Sequence, residues 1–278
     1  MKKIYKLLSF KSKRPKTFGL YHLISVSTTA FLTTMLCKKC KSATERTERR
    51  IALSVWLALV VLEIYKQFVN LFEIQENALI LSYNWNSFPF QLCSAPLYIL
   101  PLIAFLPSGN LRESIVSFFG TFVLLGGLAV CIYPGNVFVN TLGINIHTMI
   151  WHGSQVFLGI YFNLRRFFEN KDFDLKKYFN SAVPIFLIFV TIALLLNVGL
   201  YHVLTLTGND STFNMFFISP YFECLFPVLK LIQAYTPYPV FLFSYIISLT
   251  VFAYILLLSE YTAVKKINSS KSKNKNTV

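Results

Sequence analysis

The sequence predicts an all-α, polytopic membrane helical bundle of about seven transmembrane helices, six if the first apolar run does not cross. Three observations carry this. First, of 278 residues 55% are hydrophobic, 17% aromatic and 14% charged, where a soluble domain has roughly 25% charged residues. Mean hydropathy is +0.55. Second, seven apolar runs approach or reach the roughly 17–25 residues that cross a bilayer as a helix. Third, the net charge of +14 comes mainly from two tails and two loops between those runs. That is the pattern of membrane flanks, not of a phosphate-binding groove. A disordered chain, a nucleic-acid-binding domain and an ordinary cytosolic enzyme are excluded.

A basic N-terminal tail (1–17) precedes a transmembrane domain (18–260) and a basic, disordered C-terminal tail (261–278). The first run, 18–36, lacks a small-x-small cleavage site, and Leu36 before Cys37 is wrong for a lipoprotein. It reads as a retained helix. The second run is 51–72. The third, 90–106, is short and rich in proline. Pro89 suits a first helical turn, and Pro96 and Pro101 each deprive a preceding carbonyl of its helical partner. This run is therefore expected to be kinked and hydratable around Cys93. The fourth, 114–133, carries Gly120, Gly126 and Gly127, which permit close helix contact. The fifth and sixth are 146–165 and 181–203. The long connection 204–238 holds Pro220, Pro227, Pro237 and an apolar piece at Met215–Phe217. It reads as dipping into the membrane or lying on it. The seventh run is 239–259.

The loops set an orientation in the cell membrane. With the N-terminus outside, inside segments carry 17 Lys and Arg and outside segments 8. This favours N-out and C-in. The seven cationic residues of the N-terminal tail oppose that rule, and its Tyr5–Phe10 stretch is expected to lie on a surface.

Polar groups converge in one leaflet whichever side is outside. At about 1.5 Å per residue, His22, Glu63, Cys93, His147, His152, Asn197 and His202 all fall within roughly 15 Å of the less basic surface. Ionisable groups at membrane depth usually face a bundle interior or a wet cavity. The expectation is one polar cavity in that leaflet. Each member also has a structural reading. Glu63 and Lys66, spaced i and i+3, would pair on one helix face. His22 would bond a carbonyl, and His147 and His202 would sit at the interface. Cys131 and Cys224 read as small hydrophobes. The pair Cys37 and Cys40 lacks the two further ligands of a zinc site. Five cysteines without regular spacing do not form a disulfide framework.

A Cys and a His on different spans at similar depth form a minimal nucleophile–base pair. Cys93 and His152 are the catalytic candidates. Glu63, His22, His147, Gln91 and Asn197 are candidates for binding substrate or orienting the imidazole, and spacing does not choose among them. His147 and His152 are five apart, so they point about 140° apart on an ideal helix. Gly153 leaves room beside His152 for a neighbouring helix or a substrate.

The Cys93 segment, Trp151-His152-Gly153, His22 after the basic tail and Thr212 to Pro220 together resemble the YwaF-type family of bacterial integral membrane proteins. That family is related to eukaryotic transmembrane cysteine-dependent phospholipid acyltransferases. The resemblance spans roughly residues 18–260. It implies that Cys93 accepts the acyl group and that His152 is the catalytic histidine. His22 and Met215-Phe216 with Pro220 match family positions without an assigned role. Where the family tends to carry a His two residues before the Cys, this chain has Gln91.

The function expected is a lipid acyltransferase or lipid hydrolase with membrane lipids as partners, no nucleic acid and no metal or cofactor. No P-loop, Rossmann glycines or HExxH occur. The alternatives are a transporter or permease component, or a lipid- or solute-binding membrane protein. A transport pathway predicts polar groups in both leaflets.

Overall fold

The computed structural model describes residues 1–135, 137–169, 172–209 and 211–275. The chain is almost entirely helical. In order it forms α1 (Lys2–Leu8), α2 (Leu20–Lys38), α3 (Glu45–Leu71), a hairpin of β1 (Phe72–Gln75) and β2 (Ala78–Leu81), α4 (Pro96–Phe105) and α5 (Asn110–Ile132). Then come α6 (Leu142–Glu169), α7 (Leu175–Leu206), α8 (Pro227–Tyr235) and α9 (Tyr238–Lys275). Five helices, α2, α3, α5, α7 and α9, are long and apolar enough to cross a membrane. Two expected spans do not meet that standard. The helix of the third run is only ten residues long. The 28-residue α6 carries Asn145, His147, His152, Gln155, Asn163, Arg165 and Arg166, all buried.

Contacts at the two ends show how the long helices alternate. At the hairpin end, Tyr5 Oη donates to Phe72 O (2.6 Å), and His22 Nε2 to Cys131 O (2.9 Å). There too Asn197 at the end of α7 meets Met215, and Tyr238 Oη at the start of α9 donates to Ile218 O (2.6 Å). At the other end, Arg49 Nη1 donates to Ala104 O (2.9 Å) and Arg165 Nε to Ala43 O (3.2 Å). Ser117 Oγ donates to Tyr178 O (2.6 Å), and Asn163 Nδ2 to Glu260 Oε2 (2.6 Å). The N-terminal tail therefore lies across the hairpin end. The last helix continues as far as Lys275, where the sequence reading expects a disordered tail from 261. Residues 276–278 lie outside the described ones.

Close packing centres on α6. A Cβ on Gly127 of α5 would lie 2.6 Å from Gln155 Cβ and 2.9 Å from His152 O. One on Gly153 would lie 2.6 Å from Thr29 Oγ1 of α2, so the room beside His152 is filled by a helix. In α5 a π turn at Phe119–Val123 turns the Gly120 carbonyl to Asn163 Nδ2 at 2.7 Å. Aromatic packing fills the far side, with Phe122 stacked on Phe186 at 4.2 Å. The hydrophobic faces of α2 and α9 that remain exposed, including Leu23, Phe31, Phe243 and Phe252, suit a lipid surround.

At the end opposite the hairpin sits an ionic cluster that the sequence reading treats as flanking charge. Glu48 has no exposed surface. Its Oε1 accepts from Arg112 Nη2 (2.6 Å) and Arg166 Nη2 (2.9 Å), and its Oε2 from Arg165 Nη1 (2.6 Å). Glu113 takes Arg166 Nε (3.0 Å), and Glu169 pairs with Arg165 (3.2 Å). One carboxylate thus ties the starts of α3 and α5 to the end of α6. Removing one member of such a buried set leaves uncompensated charge, at a cost of about 3–5 kcal/mol. Glu48→Ala is expected to lower the melting temperature of the detergent-solubilised protein strongly. The exposed hairpin change Glu76→Gln should leave it almost unmoved.

Candidate functional site

Cys93 lies in a 3-10 turn, Leu92–Ser94. Pro96 is the first residue of α4, not a kink inside a helix begun at 90, because its missing N–H is harmless at that position. The turn is closed by Ser94 N donating to Gln91 O (2.8 Å) and Gln91 N to Ser94 Oγ (3.3 Å). The carbonyl of Cys93 accepts from Trp151 Nε1 (2.6 Å) and Gln155 Nε2 (2.7 Å). These donors are one helical turn apart on α6 and flank His152. The nucleophile candidate is thus fastened by its backbone to the helix that carries the base candidate.

His152 is buried, and its Nδ1 lies 2.7 Å from Thr148 O. A carbonyl only accepts, so Nδ1 carries the proton. The lone pair is then on Nε2, which is buried with no hydrogen-bond partner among the described residues. This nitrogen is not hydrogen-bonded to the Cys93 thiol.

Glu63 of α3 makes the expected pair with Lys66 (2.8 Å) and also accepts from Gln67 Nε2 (2.6 Å), both at Oε1. Tyr83 Oη donates to Gln67 Oε1 (2.8 Å), and Gln67 Nε2 to Ser87 O (2.9 Å). Oε2 of Glu63 lies 3.6 Å from Nε2 of His147, whose ring stacks on Trp151 at 4.9 Å. Four polar atoms here, Glu63 Oε2, His147 Nε2, His152 Nε2 and Gln155 Oε1, are buried without a hydrogen bond among the described residues. Each such orphan costs about 1–3 kcal/mol. Their concentration along α6 and the facing turn of α3 marks a place where water or a polar ligand would be held.

Three other candidates serve structure instead. His22 uses both ring nitrogens, Nδ1 accepting from Phe18 N (3.0 Å) and Nε2 donating to Cys131 O. It fastens the start of α2 to the end of α5 and leaves no nitrogen for a substrate. Asn197 and Gln91 hold a segment of the long connection between them. Asn197 bonds both N and O of Met215 (2.8 and 2.9 Å), while Gln91 bonds Asn214 O and Phe216 N (2.7 Å each). Phe216 and Phe217 have φ of 56° and 58°, in the left-handed region that bulky residues seldom enter. The segment folds inward: Phe213, Met215 and Phe216 are buried. His202 is exposed, lies edge-on to the Tyr201 ring, and its Nε2 is 3.3 Å from Tyr221 Oη. Gln155, Trp151, Thr148 and Gln67 were missed as site residues. Their side chains are uncharged, and only the i, i+4 spacing of 151 and 155 with 147 hints at a shared face.

Among the described residues no group of three or more His, Cys, Asp or Glu forms a metal-binding cluster. Compared with family models, curated proteins and solved structures, the chain matches none.

Both polar groups of Asn197 are spent on the backbone of one residue, Met215, so Asn197→Leu should release the 212–222 segment. Limited proteolysis is expected to cut within 207–226 in the variant and to spare the wild type. The two lost buried hydrogen bonds predict a destabilisation of about 2–4 kcal/mol in a detergent melt.

Proposed function

We propose that this protein transfers an acyl group on a membrane lipid, with Cys93 as nucleophile and His152 as base. The observation that carries the reading is the tautomer of His152. Thr148 O fixes the proton on Nδ1, so Nε2 offers a lone pair inside a water-poor site. The α6 side chains on either side of it hold the Cys93 backbone. The resemblance of these same residues to the YwaF-type family supports the assignment.

In the reaction, Nε2 of His152 takes the thiol proton as Sγ of Cys93 attacks the ester carbonyl. The tetrahedral intermediate collapses to a thioester, and Nε2–H returns the proton to the departing alkoxide, giving a lysolipid alcohol. An acceptor hydroxyl or water then attacks the thioester, its proton passing through Nε2 to the leaving thiolate. Substrate closes the gap between thiol and imidazole, as is common for sites that tighten only when occupied. Glu63, through His147, holds charge beside the site, and Gln155 Oε1 supplies an acceptor.

The wider architecture in this reading has α4 and α6 crossing the membrane with the five apolar helices. That makes seven spans, with N-terminus outside and C-terminus cytoplasmic in the cell membrane. α6 turns an apolar edge of Leu142, Ile146 and Ile150 outward and is mostly covered by neighbours elsewhere, and the termini lie at opposite ends. A transport pathway fits less well. The buried ionic groups at the arginine end are engaged with one another, and of the buried α6 atoms without a partner among the described residues only Tyr161 Oη lies toward that end.

The test is labelling in native membranes with a lipid-like, thiol-reactive acyl probe. Wild type should label, Cys93→Ala should not, and His152→Ala should label about 100-fold more slowly or worse, with all three inserted and folded. Undiminished labelling of the His152 variant, or no labelling of the wild type by several probes, would sink the reading.

A further inference from the structure

The N-terminal tail is built into the hairpin end. Lys11 pairs with Thr141 as an antiparallel bridge, Ser12 N donates to Asn140 O (2.8 Å), and Leu142 N donates to Phe10 O (3.1 Å). Tyr65 Oη donates to Leu8 O (2.8 Å), and Arg14 Nη2 to Gly135 O. These bonds hold the strap as a rim around an open recess of about 640 Å³ lined by Lys11, Ser12, Lys13, Arg14 and Asn140. Lys11, Lys13 and Arg14 are exposed. No Asp or Glu occurs in the first 44 residues or between 114 and 168, so neither strand of the rim supplies a countercharge. The hydroxyl of Ser12 is buried with no hydrogen-bond partner among the described residues. Beside the recess, Phe18, Leu20, Tyr133 and Val139 expose apolar surface at the first turns of α2 and α6 and the end of α5. That is where the hydrocarbon boundary lies if these helices cross the membrane.

We infer that this recess binds the phosphate of an anionic lipid headgroup. Three cations and a hydroxyl donor meet the phosphate oxygens, and the adjoining apolar side chains take the upper acyl chains. A free phosphate would meet the same cations but gain nothing from the apolar rim. The site accounts for three of the seven cationic residues that the tail places on the less basic end of the bundle, where orientation rules disfavour them. It stands whether or not Cys93 is a nucleophile.

The full chain in phosphatidylcholine vesicles, with spin-labelled phosphatidylglycerol or phosphatidylcholine added, tests this by the fraction of label immobilised. Wild type should prefer phosphatidylglycerol by about fivefold or more, since each nearby cation contributes about that factor. The preference should fall to near unity in Lys11→Gln/Lys13→Gln/Arg14→Gln. The double variant Lys11→Gln/Lys13→Gln keeps the Arg14 bond to Gly135 and should retain the wild-type melt while losing most of the preference. No preference in wild type, or an unchanged one in the folded double variant, overturns the site. Displacement of the labelled lipid by millimolar inorganic phosphate at constant ionic strength overturns the lipid as its ligand.

Discussion

α6 buries most of its 28 residues, its exposed edge being the apolar Leu142, Ile146 and Ile150 with Glu169 at the end, so each of its buried polar groups must find its partner inside the protein. In a low-dielectric interior an unpaired polar group is costly, and most of the structure around α6 answers that demand. Arg165 and Arg166 are met by Glu48, Glu113 and Glu169. Asn163 is met by the carbonyl that the π turn of α5 releases, by Glu260 and by Tyr178 Oη (3.1 Å). Asn145 closes on both N and O of Val139 (2.9 and 2.7 Å). Trp151 and Gln155 spend their donors on Cys93 O.

Against that near-complete pairing, the exceptions gain meaning. Nε2 of His152, Oε1 of Gln155, Nε2 of His147 and Oε2 of Glu63 are buried without a partner among the described residues, and toward the arginine end of the helix Tyr161 Oη is too. A helix that satisfies so many of its polar groups and leaves these few open is organised around a site. The glycines support the same organisation. Gly127 and Gly153 bring α5 and α2 against α6 on either side of His152, which removes bulk solvent from around the imidazole.

The hairpin end is held by another device. Side-chain amides replace regular backbone pairing where the chain is irregular: Asn197 and Gln91 grip the 214–216 backbone, and Gln233 accepts from Cys224 N (2.7 Å) and donates to Ser219 O (3.2 Å). Irregular backbone at membrane depth is tolerated where protein surrounds it. The strained Phe216 and Phe217 are stabilised by those bonds and by burial. The N-terminal strap closes this end by pairing with the segment that leads into α6.

The helical architecture and five of the seven apolar runs were legible in the chain, whereas the expectation of polar groups in one half alone overlooked Glu48, Arg112, Arg165 and Arg166, buried at the other end. Hydrophobic length and the depth of each ionisable residue depend only on order along the sequence. So too was the pairing of Glu63 with Lys66, which spacing within one helix determines. The hairpin at 72–81 was not legible: its turn places Glu76 and Asn77 at positive φ, without the Gly that usually announces such a turn. Neither was the role of Glu48, because its three arginines come from positions 64 to 118 residues away, and in sequence all four look like solvated flanks. Gln91 and Asn197 look the same on paper whether they bind a ligand or a neighbouring peptide. Local periodicity decides which residues enter the membrane-like interior. Which polar groups are consumed by the fold, and which are left free to do chemistry, was decided only when distant segments packed against α6, since hydrogen-bond satisfaction belongs to pairs of residues and not to one.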